Sequence, residues 1–239
     1  MLAGREHTLD VGPFVIGWNP ASDSKYLSYA TPRPGREIRD EDVAALVAAF
    51  REIGRMPRLE YVVTSAPGLE AQLLARGFQV EARHQYLTCT PATFRPAPPP
   101  SGFTVSVPQT DQDFRDLAAA QNDAFGEGLD ATDEDVRRGR RTQENGGVVV
   151  LARDAGGQAA GGGQAGVPSG GLTEVAGIAV REAFRGQGVG AAVTSEITAR
   201  VFAAGIDVAW LEAAGDQSWR VYERVGYVPA GKRLYISVP

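Results

Sequence analysis

Sulfur and imidazole are scarce in this chain: 239 residues hold one cysteine, two methionines and two histidines. A single cysteine, Cys89, excludes an intrachain disulfide and points to a reducing compartment, the cytoplasm. Both histidines, His7 and His84, lie in the first half, so the second half has no histidine to serve as a base. Basic residues are outnumbered, 24 against 29, for a net charge of −5, which argues against a nucleic-acid partner and suits a cationic small substrate. No apolar run approaches the ~18–20 residues of a membrane span. The opening "MLAGREHTLDVG" lacks the apolar core of a signal peptide, so no membrane association is expected.

What is present begins with proline. "PATFRPAPPPSG", residues 91 to 102, holds five prolines and reads as extended, semi-rigid chain. It divides the sequence into a first domain at 1–93, a linker at 94–101 and a second domain at 102–239. The two domains echo each other. "LEYVVTSAPGLEAQLLARGFQVEARHQYLTC", from Leu59, lies over "VAWLEAAGDQSWRVYERVGYVPAGKRLYISV", from Val208, at a constant offset of 149. Gly77 then meets Gly226, Phe78 meets Tyr227 and Tyr86 meets Tyr235. Each segment reads as strand, short helix, glycine-aromatic turn and strand, which suggests duplication of one unit; the alternative is two unrelated βαβ-like endings.

In the second domain "FTVSVP" alternates like a strand, and "DQDFRDLAAAQNDAF" puts Phe114, Leu117, Ala118, Gln121 and Phe125 at helical spacing. A helix over "TDEDVRRGRRTQEN", capped by Thr132 or Asp133, has early acids and late arginines that complement its dipole. "GVVVLARD" reads as a buried strand, and "LTEVAGIAV", 172–180, is apolar on both faces. Between them "QAAGGGQAGVPSGG" has the composition of a flexible loop, yet an Ala/Gly strand is equally open where another backbone approaches closely. Val189, Val193, Ile197 and Val201 mark a helix that ends at Gly205.

Before that helix stands "FRGQGVGAAV", residues 184 to 193. Strand, glycine turn and helix together suit an anion, because the first helical N–H groups have no intrahelical acceptor and glycines keep side chains out of the way. The spacing fits neither the dinucleotide fingerprint G-x-G-x-x-G nor the G-x-x-x-x-G-K-[ST] loop. Arg185-Gly-Gln-Gly-Val-Gly190 after "GIAV", followed by "VYERVGY" at 221–227, resembles the GNAT family of acetyl-CoA-dependent N-acetyltransferases over about 102–239. The resemblance implies an α/β (α+β) fold: a mixed, mostly antiparallel sheet flanked by helices, with "QAAGGGQAG" as its third strand. It implies acetyl-CoA as cosubstrate, with no metal. Arg185, Gly186, Gln187, Gly188, Val189, Gly190 and Ala191 would then take the pyrophosphate. Ile178, Ala179 and Val180, on a fourth strand that bulges and splays from the fifth, would hold the pantetheine arm.

An amine must shed a proton before it attacks a thioester, since a lysine-like amine with pKa near ~10.4 is mostly protonated at neutral pH. By the resemblance Tyr222 protonates the leaving sulfur; the alternative is a packing tyrosine. Glu174, eleven residues before Arg185, is the candidate base, with Glu212 as its rival. A carboxylate in an apolar strand costs free energy unless it is paired or functional. With Cys89 in the first domain, a cysteine acyl-enzyme is disfavoured and direct transfer follows. Many relatives carry asparagine where this chain has Gly215, with Asp216 and Gln217 as substitutes. Glu127, Asp130 and Asp133 of "GEGLDATDED" suit a cationic acceptor or merely a solvated capping loop.

In the first domain "REIRDE", 36–41, falls at the phosphate-loop position without a glycine and with three acids, which would repel a pyrophosphate. That domain reads as a degenerate GNAT-like copy, suited to cover a sheet edge, line the acceptor cleft or form a homodimer. The sequence therefore supports transfer of an acetyl group to a primary amine of a small molecule or peptide. The alternative is a non-catalytic acyl-CoA-binding sensor or scaffold.

Overall fold

The structure, a computed structural model, describes residues 7–20, 24–213 and 219–239. Two compact units comprise Met1–Tyr86 with Ala230–Pro239, and Leu87–Pro229. Composition suggests a joint at 94–101, but these residues lie within the second unit. Ala97 N–H donates to Ser195 Oγ at 2.8 Å, Arg95 N–H donates to the Val225 carbonyl at 2.9 Å, and Phe94 packs edge-on against Phe202. Proline richness here gives extended chain with its backbone groups satisfied by packing, so composition alone does not mark the boundary.

The first unit runs through β1 (His7–Val11), β2 (Phe14–Trp18), β3 (Tyr29–Pro32), α1 (Asp40–Glu52), β4 (Arg58–Val62), α2 (Leu69–Ala75) and β5 (Gln79–Cys89), whose last residues enter the second unit. Its sheet is completed by the end of the chain, β11 (Val228–Ser237), which lies antiparallel to β4 with Tyr235 opposite Glu60. The strand order is β1-β2-β3-β4-β11-β5, and β3 with β4 is parallel. Val43, Leu46 and Phe50 on α1 meet Phe14, Ile16, Leu59, Leu234 and Ile236 in one core. Arg58, Glu60 and Arg233 are buried side chains that pair with one another, Arg233 Nη2 standing 2.8 Å from Glu60. They tie β11 to β4 by charge as well as by backbone.

The second unit follows with β6 (Phe103–Ser106), α3 (Asp111–Phe125), α4 (Asp133–Glu144), β7 (Val148–Asp154), β8 (Ala159–Ala165), β9 (Leu172–Val180), α5 (Val189–Ala203), β10 (Val208–Ala213) and α6 (Trp219–Glu223). Its strands are ordered β10-β9-β8-β7-β6, antiparallel except for β10 with β9. Side chains alternate across the sheet: Val149 and Leu151 join Phe114, Leu117 and Val136 beneath α3 and α4, while Val150 and Ala152 join Val189, Val193, Ile197 and Val201 of α5. Burying each of these Val, Leu, Ile and Phe side chains contributes about 1.5–3 kcal/mol.

The Ala/Gly segment is a strand because it is squeezed from both faces. A Cβ on Gly162 would lie 2.2 Å from Leu117 Cδ1, and one on Gly163 would lie 2.4 Å from Ile178 Cδ1. Larger residues would drive α3 off one face and displace the Ile178 side chain and Ile197 of α5 on the other.

The N-terminus of α3 is held by Thr110 and Asp113 in a reciprocal capping box, and Asp113 also pairs with Arg153 at 2.8 Å. Burial raises the Asp113 pKa, but the Thr110 and Gln109 N–H groups, the Thr110 hydroxyl and the Arg153 guanidinium outweigh it and hold the carboxyl well below its ordinary value. A depressed folded-state pKa stabilises fully above the unfolded value of about 3.9 and is lost as pH falls through the folded value. Asp113→Asn is therefore expected to lower stability by about 1 kcal/mol at pH 7. The deficit should shrink as the solution is acidified below the unfolded carboxylate range, which urea titration at several pH values checks.

Candidate functional site

The site grows from a strand that loses its neighbour. β9 and β10 are in register only at Leu172–Val208, Thr173–Ala209 and Glu174–Trp210, after which both strands continue without a registered pair. The other side of β9 stays paired with β8, but the register shifts between Gly162 and Gln164. β9 spends one extra residue there, a bulge at Gly177, whose φ of +63° lies in the left-handed region. Beyond the bulge Arg181 N–H donates to the Ala160 carbonyl. Strand alternation then directs the backbone of Ala179 toward β8 and that of Ile178 and Val180 toward the edge β10 has left. Of the three strand residues expected to hold an arm, two face the open edge, and the Val180 carbonyl there already accepts from Arg185 Nε at 3.0 Å.

β9 leads through Arg181 and a single 3-10 turn, Glu182–Phe184, into the glycine loop. Among the described residues, the N–H groups of Gly186, Gln187, Gly188, Val189, Gly190 and Ala191 have no hydrogen-bond acceptor. Gly188 is the N-cap of α5 with φ +91°, Gly186 has φ +75°, and neither supplies a capping side chain. α1, α3 and α4 all carry acids in their first turns and capping boxes, whereas the first turn of α5 has no acid. Six N–H groups without an acceptor among the described residues, at the positive end of a helix, are suited to an anion. The loop from Arg185 to Gly188 is exposed and Val189 is buried beneath it. Arg185 braces this loop: besides Val180, it donates from Nη2 to the Ala124 carbonyl at 3.1 Å.

α6 packs beside this cradle, since a Cβ on Gly190 would lie 3.7 Å from Val221 Cγ1. On α6 the Tyr222 ring stands edge-on to Tyr227, centroids 6.3 Å apart. Burial pushes the Tyr222 pKa up, so its phenol keeps its proton at neutral pH. The Tyr222 hydroxyl has no hydrogen-bond partner among the described residues. Glu174 occupies the last registered β9–β10 pair, the point where the strands part, and its side chain is exposed. This exposure departs from the burial expected of a carboxylate in an apolar strand. Glu212, half-buried, stands on the departing arm of β10. Gly215, Asp216 and Gln217 lie outside the described residues.

The acidic loop divides into two kinds of residue. Asp133 pairs with Arg115 at 2.8 Å, and Asp135 completes the α4 capping box and pairs with Arg138. Glu127 and Asp130 are exposed, as are Phe125 and Leu129. In the first unit, the corresponding place at the start of α1 is closed by its own carboxylate, with Asp42 Oδ2 accepting from Arg39 N–H at 2.8 Å. Among the described residues, no group of three or more His, Cys, Asp or Glu side chains could hold a metal ion. No helix there is long and apolar enough to cross a membrane. Sequence reasoning missed Gln121, which donates from Nε2 to the Gly177 carbonyl at 2.8 Å; a polar residue in the apolar stripe of α3 was the available signal.

Residues 114–227 match the model of the acetyltransferase (GNAT) family. A GCN5-related N-acetyltransferase from Kribbella flavida is similar over 100% of this chain and 91% of its own, with 26% identity and a TM-score of 0.82. A GCN5-related N-acetyltransferase from Sphaerobacter thermophilus aligns over 96% of this chain and 82% of its own, with 16% identity and a TM-score of 0.70. A tandem GNAT protein from the clavulanic acid biosynthesis pathway covers 94% of this chain and 78% of its own at 14% identity, with a TM-score of 0.67. The last two likenesses are of fold. Among curated proteins, none matches.

The three glycines of the cradle should respond differently to alanine. Gly186 and Gly188 hold left-handed φ, so Gly186→Ala and Gly188→Ala should each cost about 1–2 kcal/mol. Gly190 has no such φ and meets only ordinary contacts, so Gly190→Ala should leave the urea midpoint unchanged or raise it by up to about 1 kcal/mol of stability.

Proposed function

Because residues 114–227 match the acetyltransferase (GNAT) family model, we propose that this protein is an acetyl-CoA-dependent N-acetyltransferase acting on a primary amine of a small molecule or peptide. The observation that carries the reading is the run of six N–H groups without acceptors, Gly186 to Ala191, at the end of a strand whose own edge is open. A pyrophosphate has the charge and oxygen spacing to take several such donors. A pantetheine arm, with its two amides, matches the outward backbone groups of Ile178 and Val180. Ala179, Arg185, Gln187 and Val189 shape and brace the same wall. The residues present fit acetyl-CoA, whose chemistry is to supply an acetyl thioester.

The chain's own residues then do three things. Glu174, at the parting of β9 and β10, takes a proton from the incoming ammonium directly or through water, with Glu212 on the facing strand as the other candidate. The free amine forms the C–N bond as the C–S bond breaks. Tyr222 gives its proton to the departing sulfur and regains one from the nitrogen side or from solvent, so the products are an amide, a thiol and one released proton. Cys89 is buried, its thiol pKa pushed up by burial, which suits direct transfer without an acyl-enzyme and a reducing, cytoplasmic setting.

The first unit supports a supplementary role. Its α1 begins 149 residues before α5, and Gly77 and Gly226 share left-handed φ at the same offset. We read it as a degenerate copy whose anion cradle is filled by Asp42. Binding of acetyl-CoA to one site per chain follows.

Tyr222→Phe separates catalysis from binding. Calorimetry should give acetyl-CoA affinity within about twofold of wild type, while thiol release with an amine panel falls by about 10²–10⁴-fold. Binding with no wild-type turnover on any amine would favour an acyl-CoA sensor instead. No binding at all would overturn both readings.

A further inference from the structure

α3 touches the proposed cofactor wall at three places within four residues. Asp123 pairs with Arg181 at 3.1 Å, the Ala124 carbonyl accepts from Arg185 Nη2 at 3.1 Å, and Gln121 Nε2 donates to the Gly177 carbonyl at 2.8 Å. The first two brace the loop. The third lands on the bulge itself. A bulged residue turns its carbonyl out of the ladder, and a part-buried carbonyl without a donor is costly. Here the donor is a side-chain amide from another element. The fit is close from both sides: a Cβ on Gly177 would stand 2.9 Å from the same Gln121 nitrogen. Gln121 sits on the stripe of α3 that includes the buried Phe114, Leu117 and Ala118, where an apolar residue would serve packing alone.

We propose that Gln121 is a positioning residue for acetyl transfer, clamping the Gly177 bulge so that the backbone of Ile178 faces the open edge and receives the pantetheine arm. It touches neither reacting atom. It acts through the bulge: if the bulge relaxed, β9 would regain ordinary register with β8 and turn Ile178's backbone groups inward. The glycine loop is held by other contacts, so Gln121 sets the arm half of the site and not the phosphate half. The inference rests on the acetyl-CoA reading above.

The test compares two ligands on the full-length protein. Acetyl-CoA carries adenosine, pyrophosphate and arm, whereas ADP carries adenosine and pyrophosphate without the arm. Gln121→Met keeps length and removes the donor, and it should weaken acetyl-CoA by about tenfold while the ADP affinity stays within about twofold. The KM for the amine should not move. Gln121→Lys, which restores a donor on a flexible stem, should recover most of the loss. If Gln121→Met melts early, Gly177→Ala disturbs the same contact from the strand and should give the same split. Equal weakening of both ligands, or none of either, overturns the proposal. Failure of the wild type to bind acetyl-CoA is a separate result, which removes the cofactor reading and this inference with it.

Discussion

Backbone groups in a sheet must find partners, and among the described residues β9 has no registered pair along the edge that β10 leaves after Glu174. Much of the second unit can be read as the means of keeping that edge open. β8 holds the other side of β9 by close packing at Gly162 and Gly163. The bulge at Gly177 rotates the strand out of simple alternation, and Gln121 secures its carbonyl. A paired edge would be more stable in isolation; under the proposed function the unpaired one serves a ligand with amide groups that completes it.

The same trade recurs at the helix that follows. α3 and α4 satisfy their first N–H groups with Thr110, Asp113, Thr132 and Asp135. α5 begins with Gly188, and its own first N–H groups have no acceptor among the described residues. Capping α5 would contribute about 1 kcal/mol and would put a carboxylate or hydroxyl at the place proposed for a pyrophosphate. The first unit shows that alternative, with Asp42 occupying the end of α1. Strand edge and helix end meet at Arg185, whose hydrogen bonds to Val180 and Ala124 join them to α3.

Local patterns were legible in the sequence. The periodicity of Val189, Val193, Ile197 and Val201 predicts α5, the Thr132 cap predicts α4, and the mixed, mostly antiparallel sheet follows from the family resemblance. The Ala/Gly segment was ambiguous by composition, because what makes it a strand is the approach of Leu117 and Ile178, residues distant in sequence. β11 reads as a strand, but nothing in its residues says that it pairs with β4; that depends on Arg58, Glu60 and Arg233 meeting in space. Glu174 shows the limit of polarity arguments: an apolar-looking strand exposes it at the point where the sheet opens. The bulge was expected only from the resemblance, and Gln121 not at all as a functional residue, since a single polar residue in a helical stripe does not name its partner.

Amide hydrogen exchange with and without acetyl-CoA tests the central claim most directly, because the claim concerns which N–H groups have no partner. Free protein should exchange rapidly at Gly186 to Ala191 and at Ile178 and Val180, and saturating acetyl-CoA should slow those amides selectively. Protection already complete in the free protein, or ligand protection confined to other segments, would contradict it.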